Sequence, residues 1–425
     1  MKRENITFVT ENSLCFGCGA CAAICPERCI SFSMTNAGRL HPSINFHRCT
    51  GCGNCYAVCP GYSSNNYITA EDLSRGWEGK VLGCYMGRSQ DERTYRNSQS
   101  GGLVTQSLAY LFENHLIQYA LVTRTDYALR PHPHYFWARS INDLHSSQKS
   151  IYAPVSLLSA LRDIEEIKGD IAVVGLPCHI EGIISLEKFH PQKFQRIRYK
   201  LGLICEGNLS LLATDYLSKK ANGEHKITYK NKQCPDYLNA NITIEQKNGN
   251  FLVVPAEERF LLKEFLTLPR CFLCPDKMNA YADLVFGDPW GVPGYDKIHG
   301  NSIVVSRSAP GQDILANMIK TSSVELKAID YQQVLQGQQV SEKMKKVSSS
   351  ALVYKSLDLK LPTYLSPFLT EKKIYSADKK RIVNFLRMEA NSAEKNINSV
   401  VKIMSRKLFQ KKWQRFVKKI IGGNY

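Results

Sequence analysis

The stretch "CFGCGACAAICPERC", from Cys15 to Cys29, places five thiols in fifteen residues. Cys15, Cys18, Cys21 and Cys25, followed by Pro26, have the spacing C-x2-C-x2-C-x3-C-P. Cys49, Cys52, Cys55 and Cys59, followed by Pro60, repeat it. Three thiolates at that spacing wrap one face of a four-iron cubane, while the fourth is carried by a short helix toward a second one. The expected ligand sets are therefore Cys15, Cys18, Cys21 and Cys59 for one 4Fe–4S centre, and Cys49, Cys52, Cys55 and Cys25 for the other. Gly17, Gly19, Gly51 and Gly53 let backbone N–H groups approach the sulfurs. Structural zinc usually shows paired C-x2-C elements instead. Disulfides need an oxidising compartment, and "MKRENITFVT" lacks the apolar core of a signal peptide. Cys29 lies outside the pattern and reads as a spare buried thiol.

Further along, Cys271 and Cys274 form a lone C-x2-C pair, while Cys178 ends the strand in "VVGLPCH" and Cys205 ends the strand in "LGLICEG". Strand-end loops are where sites gather on α/β sheets. The four could meet as one ligand set, or be two buried thiols and an accidental pair. Cys84 and Cys234 read as small buried hydrophobes. His179, beside Cys178, reads as a supporting side chain, with proton donation as its alternative.

The elements that must position these residues fall into an α+β arrangement. Residues 1–62 read as a bacterial-type dicluster ferredoxin module, an internal repeat whose halves are joined by a hairpin. Residues 63–80 are a polar linker, and 81–345 a mixed α/β domain for a flavin and a further cluster. Its strands are expected at "VLGCYMGRS", "YALVTRT", "DIAVVGLPC", "KLGLICEG", "ADLVFGDPW" and "SIVVSR", with a hairpin at Asn248–Gly249. Leu103, Leu108, Leu111 and Leu116 recur at helical spacing, and "SLLSALRDIEEIKG" reads as an amphipathic helix ending at Gly169.

Residues 346–425 form a helical basic tail. The chain has 425 residues, a formal net charge of +17 and 44% hydrophobic residues. Eight Lys/Arg and no Asp/Glu lie between Val401 and Tyr425, about half of the excess charge. Val401, Met404, Leu408, Trp413, Phe416, Val417, Ile420 and Ile421 make an apolar side there, suited to peripheral contact with an anionic bilayer or to docking on the body. No folded nucleic-acid reader is visible, and no apolar run approaches the ~20 residues of a membrane span. The expected location is cytoplasmic, or peripheral at the inner face of the membrane.

"RNSQSGGLVTQSLAYLFE", "VVGLPCH", "LGLICEG", "CFLCPD" and "ADLVFGDPWG" occur in this order over about 80–310. Together they resemble the beta subunits of coenzyme F-420 (deazaflavin) hydrogenases and dehydrogenases, here fused to an N-terminal ferredoxin. The resemblance implies FAD and a further 4Fe–4S cluster held by Cys178, Cys205, Cys271 and Cys274. It also implies that the flavin lies against Ser100, Gly101 and Gly102, with Thr105 behind. A glycine pair at a helix start suits a pyrophosphate or the flavin edge, although Ser100 could simply cap the helix. Asp288 would bind ribityl or ribose hydroxyls, or close a turn. Where the family reads Gly-Ser-Lys-Tyr, this chain has Lys149, Ser150, Ile151 and Tyr152. Ser150 and Tyr152 are kept and the cation is lost, so poor reaction with reduced deazaflavin is expected.

The expected protein is an iron–sulfur flavoprotein oxidoreductase that passes electrons between ferredoxin-type clusters and FAD to reduce a soluble small molecule. A ferredoxin or another redox protein would be its partner. The alternative is an electron-transfer subunit of a larger complex, without its own substrate pocket.

Overall fold

The computed structural model describes residues 4–62, 77–232, 241–296, 299–365, 369 and 373–421. Cys234 and most of the expected linker, 63–76, lie outside the described residues. The first two strands, β1 (Ile30–Met34) and β2 (Leu40–Ile44), form the hairpin expected between the halves of the cysteine repeat. In chain order there follow β3 (Gly83–Ser89), β4 (Tyr119–Arg124), β5 (His134–Ala138), β6 (Ile171–Gly175) and β7 (Ile197–Leu203). Next come β8 (His225–Tyr229), β9 (Ile242–Gln246) and β10 (Phe251–Val254), then β11 (Leu284–Gly287), β12 (Ser302–Ser306) and β13 (Val324–Ala328).

Eight of these strands make one mixed sheet in the order β13-β3-β12-β11-β7-β6-β4-β5. Its centre, from β11 through β7 and β6 to β4, is parallel, and the flanking pairs are antiparallel. Parallel strands need both faces covered, and both are. Alternate residues split between two cores: Leu121, Val173 and Val285 on one face, Ala120, Val122, Ala172 and Phe286 on the other. The second face is covered by the helices Leu103–Glu113 and Ala309–Lys320. The first is covered by the helix Pro177–Phe189 and by Cys18, Ala20, Ile24 and Val58 of the N-terminal module. A separate antiparallel sheet, β10-β9-β8, turns at Gly249.

The N-terminal module is fastened to the body by backbone bonds. The Leu158 N–H donates to the Cys18 carbonyl (2.9 Å), and the Leu211 N–H to the Gly38 carbonyl (2.8 Å). A Cβ on Gly19 would meet the Ser159 nitrogen at 2.4 Å, so only glycine fits there. The helix Val340–Ser356 packs on the same module through Val347, Ala351 and Tyr354, and the expected boundary between 345 and 346 falls inside it.

Two helix readings are corrected, at "SLLSALRDIEEIKG" and at Leu116, and of the two readings of the tail the structure shows docking on the body. The segment read as an amphipathic helix is a 3-10 helix, Leu157–Glu166, broken at Asp163. Its outer residues are pinned by side chains of the module, with Arg28 paired to Asp163 at 2.7 Å, while Leu157, Leu158, Leu161 and Ile164 are buried. The last helix, Ala393–Ile421, does not keep its apolar side free. Ile397, Val400, Val401, Met404 and Leu408 pack on the body with Leu212, Leu217 and Leu262, while Phe409 and Trp413 stand exposed. Leu116, placed on a helical face by spacing, lies beyond the end of its helix and is exposed.

Candidate cluster centres and cofactor edge

In the cysteine repeat, the backbone itself is repeated. Gly17 and Gly51 have φ of 72° and 71°, and Gly19 and Gly53 have φ of 97° and 80° and start the helices Ala20–Ile24 and Asn54–Ala57. Each left-handed glycine turns the chain so that consecutive cysteines face one point. The Gly17 N–H donates to Cys15 Sγ at 3.3 Å. Burial pushes the Cys21 thiol well up, and the charges of Cys15, Cys18, Cys59 and Cys55 push it further. Cys59 in turn feels Cys18 and Cys15. Cys55 feels Cys52 and Cys25. Cys59 is thus near Cys15 and Cys18, and Cys25 near Cys55, as the expected crossing of the fourth ligands requires. Cys29 is buried and its Sγ lies 3.4 Å from Cys25 Sγ, so it stands at the edge of the second group.

A third group of thiols forms at the carboxyl edge of the sheet. Cys178 follows β6 in the first turn of the helix Pro177–Phe189, and Cys205 follows β7. Cys271 lies in the 3-10 turn Pro269–Leu273, and Cys274 closes it. All four line one cavity, together with Phe16, Glu206 and Lys343. The Asn208 N–H donates to Cys271 Sγ at 3.4 Å. Burial pushes Cys205 up to about 12 and Cys178 well up. Such buried thiols would not ionise together unaided, so the donor set suits a centre whose iron supplies the positive charge. Among the described residues no three His, Cys, Asp or Glu side chains converge on a single ion. Thiolates spread around a cubane stand farther apart than the ligands of one ion, so this does not bear on a cluster.

The third group adjoins the first. After burial, Cys18 is the largest influence on the Cys178 thiol. Arg270 acts on both groups, through Cys15 of the first and Cys274 of the third. It is about 1% exposed, with its guanidinium 4.2 Å from the Phe16 ring centre. It donates to the Gly61 carbonyl (3.0 Å) and to the Tyr364 hydroxyl. His179 accepts from the Leu176 N–H through Nδ1 (3.3 Å), and burial lowers it to about 4, which suits a neutral ring that links the start of its helix.

The residues expected at the flavin gather on the same edge. Ser100 Oγ donates to the Asn301 carbonyl, and the Gly101 N–H to Ser302 Oγ (2.8 Å). Ser100 therefore does not cap the helix Leu103–Glu113, which begins at left-handed Gly102 with no side-chain cap. Gly101 has a packing reason of its own, because a Cβ there would meet the Gly87 carbonyl at 2.4 Å. Thr105 is buried in the first turn. The Ser150 N–H donates to Gln99 (2.9 Å), which places its loop against the Ser-Gly-Gly turn. Tyr152 packs edge-on against Tyr229 at 4.8 Å, and burial, then the Asp288 carboxylate, pushes its hydroxyl up. Asp288 pairs with Lys230 at 2.5 Å.

Three lysines meet here that sequence reading misses or sets aside. Lys149, at φ 81°, donates to Asn231 (3.2 Å), which stands between Lys230 and Lys232 in the chain. Lys232 donates to the Tyr95 carbonyl (3.0 Å) and to the Ser100 carbonyl, and burial lowers it to about 8. Cations other than the one lost at Ile151 thus lie along this edge, one of them already paired with Asp288. An uncapped helix start, three ammonium groups and two tyrosine rings suit a phosphate-bearing aromatic cofactor.

Fold and thiol groups define an iron–sulfur protein of mixed α/β type with an N-terminal dicluster ferredoxin domain. Family models for "Coenzyme F420 hydrogenase/dehydrogenase, beta subunit" match residues 84–162 (N-term) and 169–332 (C terminus), and a "4Fe-4S dicluster domain" model matches 14–61. The chain belongs to the coenzyme F420 hydrogenase/dehydrogenase beta-subunit family. It is 26% identical over 339 residues to the coenzyme F420-dependent sulfite reductase of Methanocaldococcus jannaschii, covering 76% of this chain and 48% of that protein. The chain thus spans about half the length of that relative. It is 23% identical to one subunit of the F(420)H(2) dehydrogenase of Methanosarcina mazei, over 74% of this chain and 91% of the relative. In fold it matches a chain of the F420-reducing [NiFe] hydrogenase complex from Methanosarcina barkeri, with a TM-score of 0.52, 19% identity, and 67% of this chain and 97% of that chain covered.

Proposed function

We propose that this chain is the electron-transfer subunit of an oxidoreductase, exchanging single electrons with a partner redox protein at its ferredoxin module and electron pairs with an organic cofactor at the Ser100–Gly102 edge. The observation that carries this is the packing of Cys18 and Ala20 of the module against the helix Pro177–Phe189 that bears Cys178, where a Cβ on Gly182 would meet the Ala20 Cβ at 3.4 Å. The ligand sets are Cys15, Cys18, Cys21 and Cys59; Cys49, Cys52, Cys55 and Cys25; and Cys178, Cys205, Cys271 and Cys274. When bound, the clusters move single electrons and FAD moves two electrons with protons. The chain's own residues enclose the first and third groups away from water. Tyr152, Asp288 and the three lysines hold the cofactor's aromatic and anionic parts.

Relatives named as subunits favour this over a free-standing reductase with its own small-molecule pocket. Their names also carry coenzyme F420, and Lys149 and Lys232 offer cations at this edge in place of the one lost at Ile151, which supports reaction with a reduced deazaflavin. Contact with an anionic bilayer is proposed only for the exposed Phe409–Trp413 end of the last helix, and flotation with vesicles at low salt tests it.

The deciding experiment is anaerobic purification followed by iron, sulfide and flavin analysis, then mixing with reduced deazaflavin or reduced ferredoxin. Bleaching of the cluster absorbance by both donors, with one flavin per chain, supports the proposal. Stoichiometric zinc, or no flavin with no response to either donor, overturns it.

A further inference from the structure

The helix Val340–Ser356 presents Lys343, Val347, Ala351 and Tyr354 along its buried side. Three of these suit a core. Lys343 does not, because a buried ammonium loses its hydration and is retained only with compensating partners. Its side chain is 5% exposed. The Nζ donates to the carbonyl of Glu206 (2.7 Å) and to the carbonyl of Cys271 (3.1 Å), and it lines the cavity shared by Cys178, Cys205, Cys271 and Cys274. Burial opposes its charge, and the two carbonyl oxygens that Nζ donates to, with the Glu206 carboxylate nearby, hold the ammonium.

Other charges stand at this end of the cavity. The Glu206 carboxylate is already paired with Lys277 at 2.6 Å, and Lys346 stands 3.7 Å away. Lys263 also faces the Glu206 carboxylate. Arg270 acts on the same thiols. Both signs thus surround the third thiol group: after burial, Glu181 and Asp276 push the Cys274 thiol up, while Lys343 and Arg270 pull it down. Lys343 lies beyond the family match, which ends at residue 332, so the family match does not supply this residue.

We propose that Lys343 is a positioning residue of the third centre: its fixed ammonium raises the reduction potential of the cluster held by Cys178, Cys205, Cys271 and Cys274. The inference rests on the ligand reading above. A four-thiolate cluster becomes more negative on reduction, so an adjacent buried cation favours the reduced form. Removing the cation while keeping the side-chain volume should lower the potential of this centre and leave the two N-terminal centres where they are.

The test is an anaerobic redox titration of the full chain, followed by EPR and visible absorbance, with iron and sulfide counted for every variant. Lys343→Met should lower the third midpoint by about a tenfold change in the one-electron constant, about 59 mV. Lys343→Arg should keep it near that of the unmutated chain. Glu206→Gln, which removes the opposing carboxylate, should raise it. Lys345→Met, exposed on the same helix, should change nothing. Full iron content with an unmoved third midpoint in Lys343→Met overturns the inference. If that variant loses iron, Glu206→Gln decides: a rise supports the inference and no shift overturns it. An unmutated chain with about eight iron atoms instead of about twelve overturns the ligand reading itself, a distinct failure.

Discussion

The cysteine repeat and the thiol group at the sheet edge present the same chemistry built in opposite ways. In the repeat, six of eight thiols sit within a few residues of left-handed glycines, and local backbone geometry gathers them. At the edge, Cys178, Cys205 and the Cys271–Cys274 pair come from separate elements. Their meeting requires β6, β7 and the Pro269–Leu273 turn to be in place together. The first kind of site should survive damage to the body. The second should be as fragile as the fold.

The largest expected effect tests this directly. Cys271→Ser should remove one four-iron centre, so that iron falls from about twelve to about eight atoms per chain while the N-terminal spectral features persist. Loss of all iron would mean that the two regions are not separable.

Gly19 and Gly51 each stand beside a cluster cysteine in the repeat, yet one faces the body and the other faces open space. A Cβ on Gly51 meets nothing within 4 Å, whereas one on Gly19 runs into the Ser159 backbone. Gly51→Ala should cost about 1–2 kcal/mol, the left-handed penalty alone. Gly19→Ala adds overpacking of about 1–3 kcal/mol. Denaturant unfolding of the anaerobic protein should rank them in that order, and equal costs would show that the docked surface gives way.

Met404 is 1% exposed in the core beneath the last helix. Met404→Ala should cost about 2–3 kcal/mol in the same unfolding assay without loss of iron. A stability change within error would mean that the helix is only loosely seated, and would restore the case for a free membrane-facing stripe.

The smallest effect belongs to Cys25→Ser. With Cys29 Sγ at 3.4 Å from Cys25 Sγ, a fifth thiol is in reach of the second group. About twelve iron atoms per chain should therefore be retained, against about eight in Cys55→Ser. Equal loss in both variants would mark Cys29 as a bystander.

What can be read from the sequence follows the same division. The two N-terminal ligand sets are legible because chain spacing and spatial spacing coincide there. Strands β3, β4, β6, β7, β11 and β12 are legible as apolar runs, since a sheet covered on both faces needs them. The meeting of Cys178 with Cys271 does not follow from spacing and rests on resemblance. Arg270 has a faint signal, as a cation beside Cys271 in "PRCFLC". Lys343 has none, because "SEKMKKVSSS" reads as a solvated charged run until the helix phase is known. Lys149 gives no sign of its role, since only its positive φ turns it toward Asn231. The tail misleads because an apolar stripe carries no label for what covers it.

The Leu158–Cys18 and Leu211–Gly38 backbone bonds, with Gly19 lying flush on Ser159, have a consequence for how the molecule meets its partners. A ferredoxin module fastened in this way cannot swing like a pendulum between donor and acceptor. It is a fixed terminal, and on the function proposed above any redox partner has to travel to it.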